Sequence, residues 1–509
     1  NYAADALEIA REEHAKSIVA KAEMLLAEGR TDEVRAVLAP VLEQTDDAEW
    51  RTKADEIWLH AGERGRSLPA LLEEARRFER EGDWATANEM YRRLLTEFPE
   101  STAARNVRLP IYIGSNPPGA EAFRRTRGGE PQALGTAPLV VRLGPRDAIE
   151  IELRAKGYHP LELYLDGLSA GEHEALLERK PSWMAAVRGR STLPASLQGG
   201  LLVLPDGVGG VHGFDLEKGE MRFEMKRQTI HSLVGPVASS PEGIYLVWND
   251  HRLHLIDPSR MQGSSRTPTI KASFVLDGLA TTNALVRENA TILVGTSRKR
   301  LVCLSRGRLE PLGEIPLDET PRDLLAVDSS HVLVRDDQNA LMLIEARAGR
   351  VRWRAVHERK PVADLRLLPK SVLLVFADGS LQTFDRKDGA SRTIPTPTGG
   401  LQCVDPNKGI VYRVTGERTL ESVTLEGEVL RAIDLPAKPE ALTCGGGRVI
   451  ATLRNGASAV LLDGEPLSVI GALRPGFRTE RWLLGETHSI AIGPDENGTQ
   501  IKIAAFAVK

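Results

Sequence analysis

Cysteine is scarce in this chain: Cys303, Cys403 and Cys444 are the three it has, and at least forty residues separate each from the next. An odd, sparse set with no CxxC pair argues against a disulfide framework and against a thiolate zinc site. Such usage suits cytoplasm and, equally, an exported protein that uses no disulfides. Long apolar runs are also missing. No stretch of about eighteen apolar residues occurs, so no bilayer-spanning helix is expected, and no secretory signal opens the chain. The first residue is Asn1 rather than Met, which leads us to expect a segment of a longer protein, with an export signal or anchor lying upstream. An excess of one charge is missing as well. The formal net charge is -4, with 16 Lys/Arg against 23 Asp/Glu in residues 1–109, 7 of each in 110–168, and 43 against 40 in the remainder. No basic stripe follows from that distribution, so nucleic acid is excluded as an expected partner.

Catalytic signatures are absent too. The sequence has no GxSxG, HExxH, P-loop, or kinase HRD and DFG set. Its 11 histidines are scattered. His251 and His254 are three apart and would face opposite sides of a strand, and His212 has no obvious ligand partner. Asp250, His251, Asp336 and Asp337 stand where a hairpin turn also calls for Asp or Asn, and we read them as turns rather than calcium or cofactor contacts. The Asp46-Asp47 pair is likewise read as an exposed turn without the shared burial that acid–base work requires. No catalytic, cofactor or metal residue is therefore assigned, and no cofactor is expected.

What is present is a repeat. Short apolar runs ending near an acidic or small residue recur as VHGFD (211–215), LHLID (253–257), LVCLS (301–305), LMLIE (341–345), LQTFD (381–385), LESVT (420–424) and AVLLD (459–463). The fourth position of each run falls at 214, 256, 304, 344, 384, 423 and 462, and a further run, IKIAAFAV (501–508), sits one period on. Short β-runs at a period near forty, separated by Gly/Asp turns such as Asn455-Gly456, are the pattern of propeller blades.

Ahead of the repeats, residues 1–106 are rich in Ala, Glu, Leu and Arg. Ala22, Leu25, Val34, Leu38 and Val41 fall at helix-packing spacings with Gly29-Arg30 as the turn, and a separate helix is expected around Trp50–Leu59. The pattern returns at 68–99 with Leu71, Ala75 and Phe78, the turn Gly82-Asp83-Trp84, then Ala87, Tyr91 and Leu94, and Pro99 as the stop. This spacing resembles a tetratricopeptide repeat, and the resemblance implies protein or peptide binding; the plain alternative is a helical spacer.

Residues 107–168 change to Gly, Pro and alternating aliphatics, with strands expected at 111–113, 139–143, 149–153 and 161–165. Pro118-Gly119-Ala120, the turn from Gly135 to Leu139, and Gly157-Tyr158-His159-Pro160 together resemble the bacterial PEGA domain. That resemblance implies a small, non-catalytic β module of extracytoplasmic segments and multidomain regulators. The usual hairpin is replaced by Phe123–Gly129, where Arg124, Arg125 and Arg127 are the candidate binding residues of an anion-facing loop, with an ordinary solvated turn as the favoured reading.

Residues 169–182 are expected to be a linker and 183–509 a β-propeller, closed by pairing of 183–187 with the C-terminal blade. Eight blades are favoured, with seven as the alternative. The run from Ala340 through Glu345 and Gly349 to Trp353 resembles the quinoprotein (PQQ-like) repeat, in which an acidic residue, a Gly turn and a Trp lock the outer strand. No quinone- or metal-binding set maps onto the chain. The expected fold is thus multidomain: TPR-like helices, an all-β PEGA-like domain, and an all-β WD40-like or PQQ-like propeller. The order resembles the sensor or scaffold region of planctomycete-type or myxobacterial-type proteins that often carry Ser/Thr kinases. The expectation is a non-catalytic interaction module, possessing no transmembrane segment of its own, binding protein or peptide through its helices or propeller face, and placed outside the cytoplasm or at a membrane rather than inside the cell. The alternatives are an envelope or carbohydrate-binding protein, which 5% aromatic residues disfavour, and a divergent quinoprotein-like oxidoreductase.

Overall fold

The computed structural model describes residues 2–507 apart from 28–29, 45–47, 100, 127–128, 168, 170, 191–192, 207–208, 227–231, 264, 358–364, 377–379, 395–399, 454–455, 457 and 465. Gly29, Asp46, Asp47, Arg127, Asn455 and Val508, named above, lie outside the described residues. The chain forms two compact units, Asn1–Leu177 and Glu178–Lys509.

The first unit begins with a helical bundle: α1 (Tyr2–Ala27), α2 (Thr31–Gln44), α3 (Ala48–Glu81), α4 (Trp84–Glu97) and the short α5 (Thr102–Asn106). Ala22, Leu25, Val34 and Leu38 are buried against Ala54, Ile57 and Ala61. One expectation is corrected here. Trp50–Leu59 is not a separate helix, because α3 continues for 34 residues through Pro69. An interior proline removes one i→i−4 bond, and packing on both neighbouring helices carries α3 through it. The turn at 82–84 is as read. Gly82 takes a positive φ, and Asp83 caps α4 by accepting the Thr86 N–H at 3.0 Å.

Among the described residues, the rest of this unit has seven strands: β1 (Leu109–Asn116), β2 (Glu121–Arg124), β3 (Gln132–Thr136), β4 (Leu139–Leu143), β5 (Ala148–Arg154), β6 (Leu161–Asp166) and β7 (Glu172–Leu176). They form two sheets, ordered β4-β1-β7 and β3-β2-β5-β6, whose apolar faces share one core containing Ile111, Ile113, Ile151, Leu153 and Leu165. The segment 169–182, expected to be a linker, is built into sheets. β7 pairs parallel with β1, and Glu178–Arg179 pairs parallel with Leu467–Leu473 of the second unit. Its composition hid this because both strands lean on partners that are distant in sequence. The helices dock on β1 through Asn88, which donates to the Pro110 carbonyl at 3.0 Å, and through Trp84 stacked on Tyr112.

The described residues of the second unit form eight sheets built on four antiparallel strands each, taken in chain order. Every run picked out in the sequence is the third strand of its sheet, from Val211–Asp215 in the first to Gln500–Ala507 in the eighth. The first strands of successive sheets neighbour one another, as Ala238–Ser240 does Leu285–Val286 and Gln402–Asp405 does Pro439–Gly445, so these are the inner strands of a propeller-like arrangement. Apolar cores lie between consecutive sheets, for example Tyr245 and Leu255 against Ile292 and Leu304. The eighth sheet takes its outer strand, Trp183–Arg188, from the other end of the unit, and Ile490, Ile501 and Ile503 of that sheet pack on Leu202, Leu204 and Phe214 of the first.

Candidate functional site

The arginine loop comes first because the sequence singled it out. Arg125 follows β2 directly and is engaged within the fold: its guanidinium bonds the Glu162 carboxylate and stands 4.0 Å from Glu152. Glu152 is held below the ordinary carboxylate range chiefly by Arg154. Arg124, the last residue of β2, is exposed. Phe123, just before them, carries the Arg154 guanidinium over its ring.

The polar residues of the repeats prove to be turn builders. Asp250 accepts the Arg252 N–H, and His251 takes a φ of 66° at the hairpin between Gly243–Trp248 and Arg252–Met261. Asp336 accepts the N–H groups of Gln338 and Ala340. Asp215 bonds the Arg222 guanidinium and the N–H groups of Lys218 and Glu217, in that order of weight, and its carboxyl is held below its usual range. His212 and Asp206, both buried, meet at 3.2 Å, a contact within one hairpin of the first sheet. Among the described residues, no group of three or more His, Cys, Asp and Glu could hold a metal ion.

A site that the sequence did not suggest lies at the seam of the fourth and fifth sheets. Val327, His331, Leu343, Arg352, Pro369, Lys370, Asp385, Arg386 and Lys387 line an open cavity of about 580 Å³. Arg386 forms its floor, donating to the Pro369 and Val327 carbonyls at 3.0 Å each and so tying the two sheets together. Asp328 accepts from the Ser330 and His331 N–H groups and from the imidazole. Burial opposes its charge, and those bonds outweigh burial and keep its carboxyl below the ordinary range. Arg352 pairs with Glu345 at 3.2 Å, while Lys370 and Lys387 share the wall. Cationic side chains outnumber carboxylates there, so the cavity suits an acidic side chain or peptide. Its residues come from two repeats about forty positions apart, which is why no local motif announced it.

A family model described as outer membrane protein assembly factor BamB matches residues 283–456, a stretch that includes this cavity. No curated protein sequence matches the chain. Similar solved structures include the computationally designed Ika8 protein (13% identity, 63% of this chain and 98% of that one, TM-score 0.48). BamB from Moraxella catarrhalis is similar at 12% identity, over 60% of this chain and 91% of that one, with a TM-score of 0.38. The C-terminal WD40 domain of Sif2 is similar at 9% identity, over 64% and 97%, with a TM-score of 0.46.

Proposed function

We propose that this chain is a non-catalytic scaffolding or sensory module that binds a protein partner through its propeller surface, with the seam of the fourth and fifth sheets as the principal contact. The observation that carries the reading is the cation-lined cavity of about 580 Å³, which lies in the stretch matching the assembly-factor family. Asp250 and Asp336 of the repeats are used in turns. On this reading the eight sheets are blades of a closed ring, the front helices are TPR-like, and the seven-stranded region is PEGA-like. The module works outside the cytoplasm, as the name of the matching family suggests, and serves as the regulatory part of a larger bacterial protein of the Ser/Thr kinase type.

The test is affinity capture from native cells with the wild-type chain and with K370E/K387E, scored by quantitative mass spectrometry. The reading expects one reproducible partner whose capture falls at least tenfold in the variant while its circular dichroism is unchanged. Equal capture by both forms would contradict the assignment of the seam. Retention of a sugar or redox cofactor without any protein would contradict the scaffold reading.

A further inference from the structure

Distance in sequence hides a pairing of two thiols. Cys403 lies on Gln402–Asp405, the inner strand of the sixth sheet, and Cys444 on Pro439–Gly445, the inner strand of the seventh. These strands approach to within 8 Å between Cα atoms, and both cysteines pack on one apolar cluster with Tyr412, Val449 and Leu462. The seam is fixed on either side of them. Asp405 accepts the Gly447 N–H at 3.1 Å, and Tyr412 donates to the Gly464 carbonyl at 3.1 Å. Cys403 and Cys444 are near enough to influence one another, burial and Cys444 push the Cys403 thiol up from its ordinary range, and both thiols are reduced.

We propose that Cys403 and Cys444 are an oxidisable dithiol, closing into a disulfide that staples the inner strands of the sixth and seventh sheets. Disulfides require closely spaced, facing Cβ atoms, and two cysteines on neighbouring inner strands, packed on one cluster, meet the first condition for that bond. The oxidant is a low-molecular-weight disulfide. One protein thiolate attacks a sulfur of the reagent, forming a mixed disulfide and expelling one small thiolate. The second protein thiolate then attacks the protein sulfur of that mixed disulfide and expels the other. The protein pair loses two electrons, the reagent becomes two thiols, and the two thiol protons pass to them. Cys303 stands on the third strand of the third sheet and takes no part.

Incubation of the folded chain with excess oxidised glutathione, trapping with N-ethylmaleimide and non-reducing peptide mapping tests this. The expected result is a fall from three alkylatable thiols to one, a crosslinked peptide pair joining Cys403 to Cys444, alkylated Cys303, and no covalent dimer. In C303S the count falls from two to none, and in C444S Cys403 ends as a thiol or an unresolved glutathione adduct. Dithiothreitol restores the thiols and lowers the thermal midpoint that the staple had raised. Three persistent thiols, stable glutathione adducts on the native pair, or disulfide-linked dimers would overturn the proposal. The native-chain map decides the matter even where a variant does not fold.

Discussion

At the scale of single residues, the most informative group is Glu79, Arg142 and Tyr91. Arg142 on β4 forks onto Glu79 of α3 at 3.1 and 2.6 Å, and Tyr91 of α4 bonds the same carboxylate. Burial works against the Glu79 charge, but Arg142 and Tyr91 prevail and hold it below the usual range. Burial, then Glu79, pushes the Tyr91 phenol up to about 12. The signs of the pH dependence follow. A lowered carboxylate gives stability above its unfolded value that is lost as pH falls through the folded one; a raised phenol gives stability that is lost as pH climbs from about 10 towards 12. Urea melts of the first unit should therefore weaken at both extremes. E79Q should cost about 1.5–3 kcal/mol at neutral pH and flatten the acid limb. An acid limb unchanged by E79Q would refute this role. None of this trio was legible in the sequence, because the partners sit on α3, α4 and β4 and no spacing rule links them. Arg125 shows the same blindness from the other side: it was noticed as part of a basic loop, whereas its carboxylate partners lie on β5 and β6.

At the scale of elements, the repeat carries more than periodicity. In six of the eight sheets the pairing of third and fourth strands shifts register at the fourth residue of the run: Phe214, Ile256, Leu304, Ile344, Val423 and Leu462. A bulge there adds twist to the outer strand. The fifth residue of the run opens a turn in which a later N–H returns to its carbonyl, as Gly219 does to Asp215 and Gly389 to Asp385. These glycines have φ of 70° and 75° and lie under tryptophans of another sheet: Trp183 of the eighth donates to the Leu216 carbonyl of the first, and Trp353 of the fourth to that of Arg386 in the fifth. Acidic residue, Gly and Trp were recognised in the sequence as a set. The lock runs from one sheet to the next, however, not within one repeat. A Cβ at Gly389 would meet the Trp353 ring at 2.8 Å, while one at Gly263, also at positive φ, meets nothing within 4 Å. G389A should cost about 2–3 kcal/mol and G263A about 1 kcal/mol, both read from denaturant midpoints. Equal costs would mean that backbone strain alone, and not the tryptophan lock, sets the penalty.

At the scale of the whole chain, the order of helical bundle, small β region and repeated sheets was legible from composition and period. What the sequence could not display was the use of residues 169–188. That segment supplies β7 to the first unit and two strands to the second, each against a partner far along the chain. A second unit beginning at Glu178 should fold alone with a sharp melt. One beginning after Arg188 leaves the edges of Leu467–Leu473 and Gln500–Ala507 unpaired and should aggregate. Light scattering of the two fragments distinguishes them, and equal solubility would show that the early strands are dispensable.

The central claim is that the propeller-like unit meets a protein partner at the cation-lined seam of its fourth and fifth sheets. Amine-reactive crosslinking in native cells, followed by peptide mapping, tests it most directly. The account predicts that Lys370 and Lys387 crosslink to acidic segments of one partner protein. Links confined to this chain itself, with both lysines fully accessible in the cell, would contradict it.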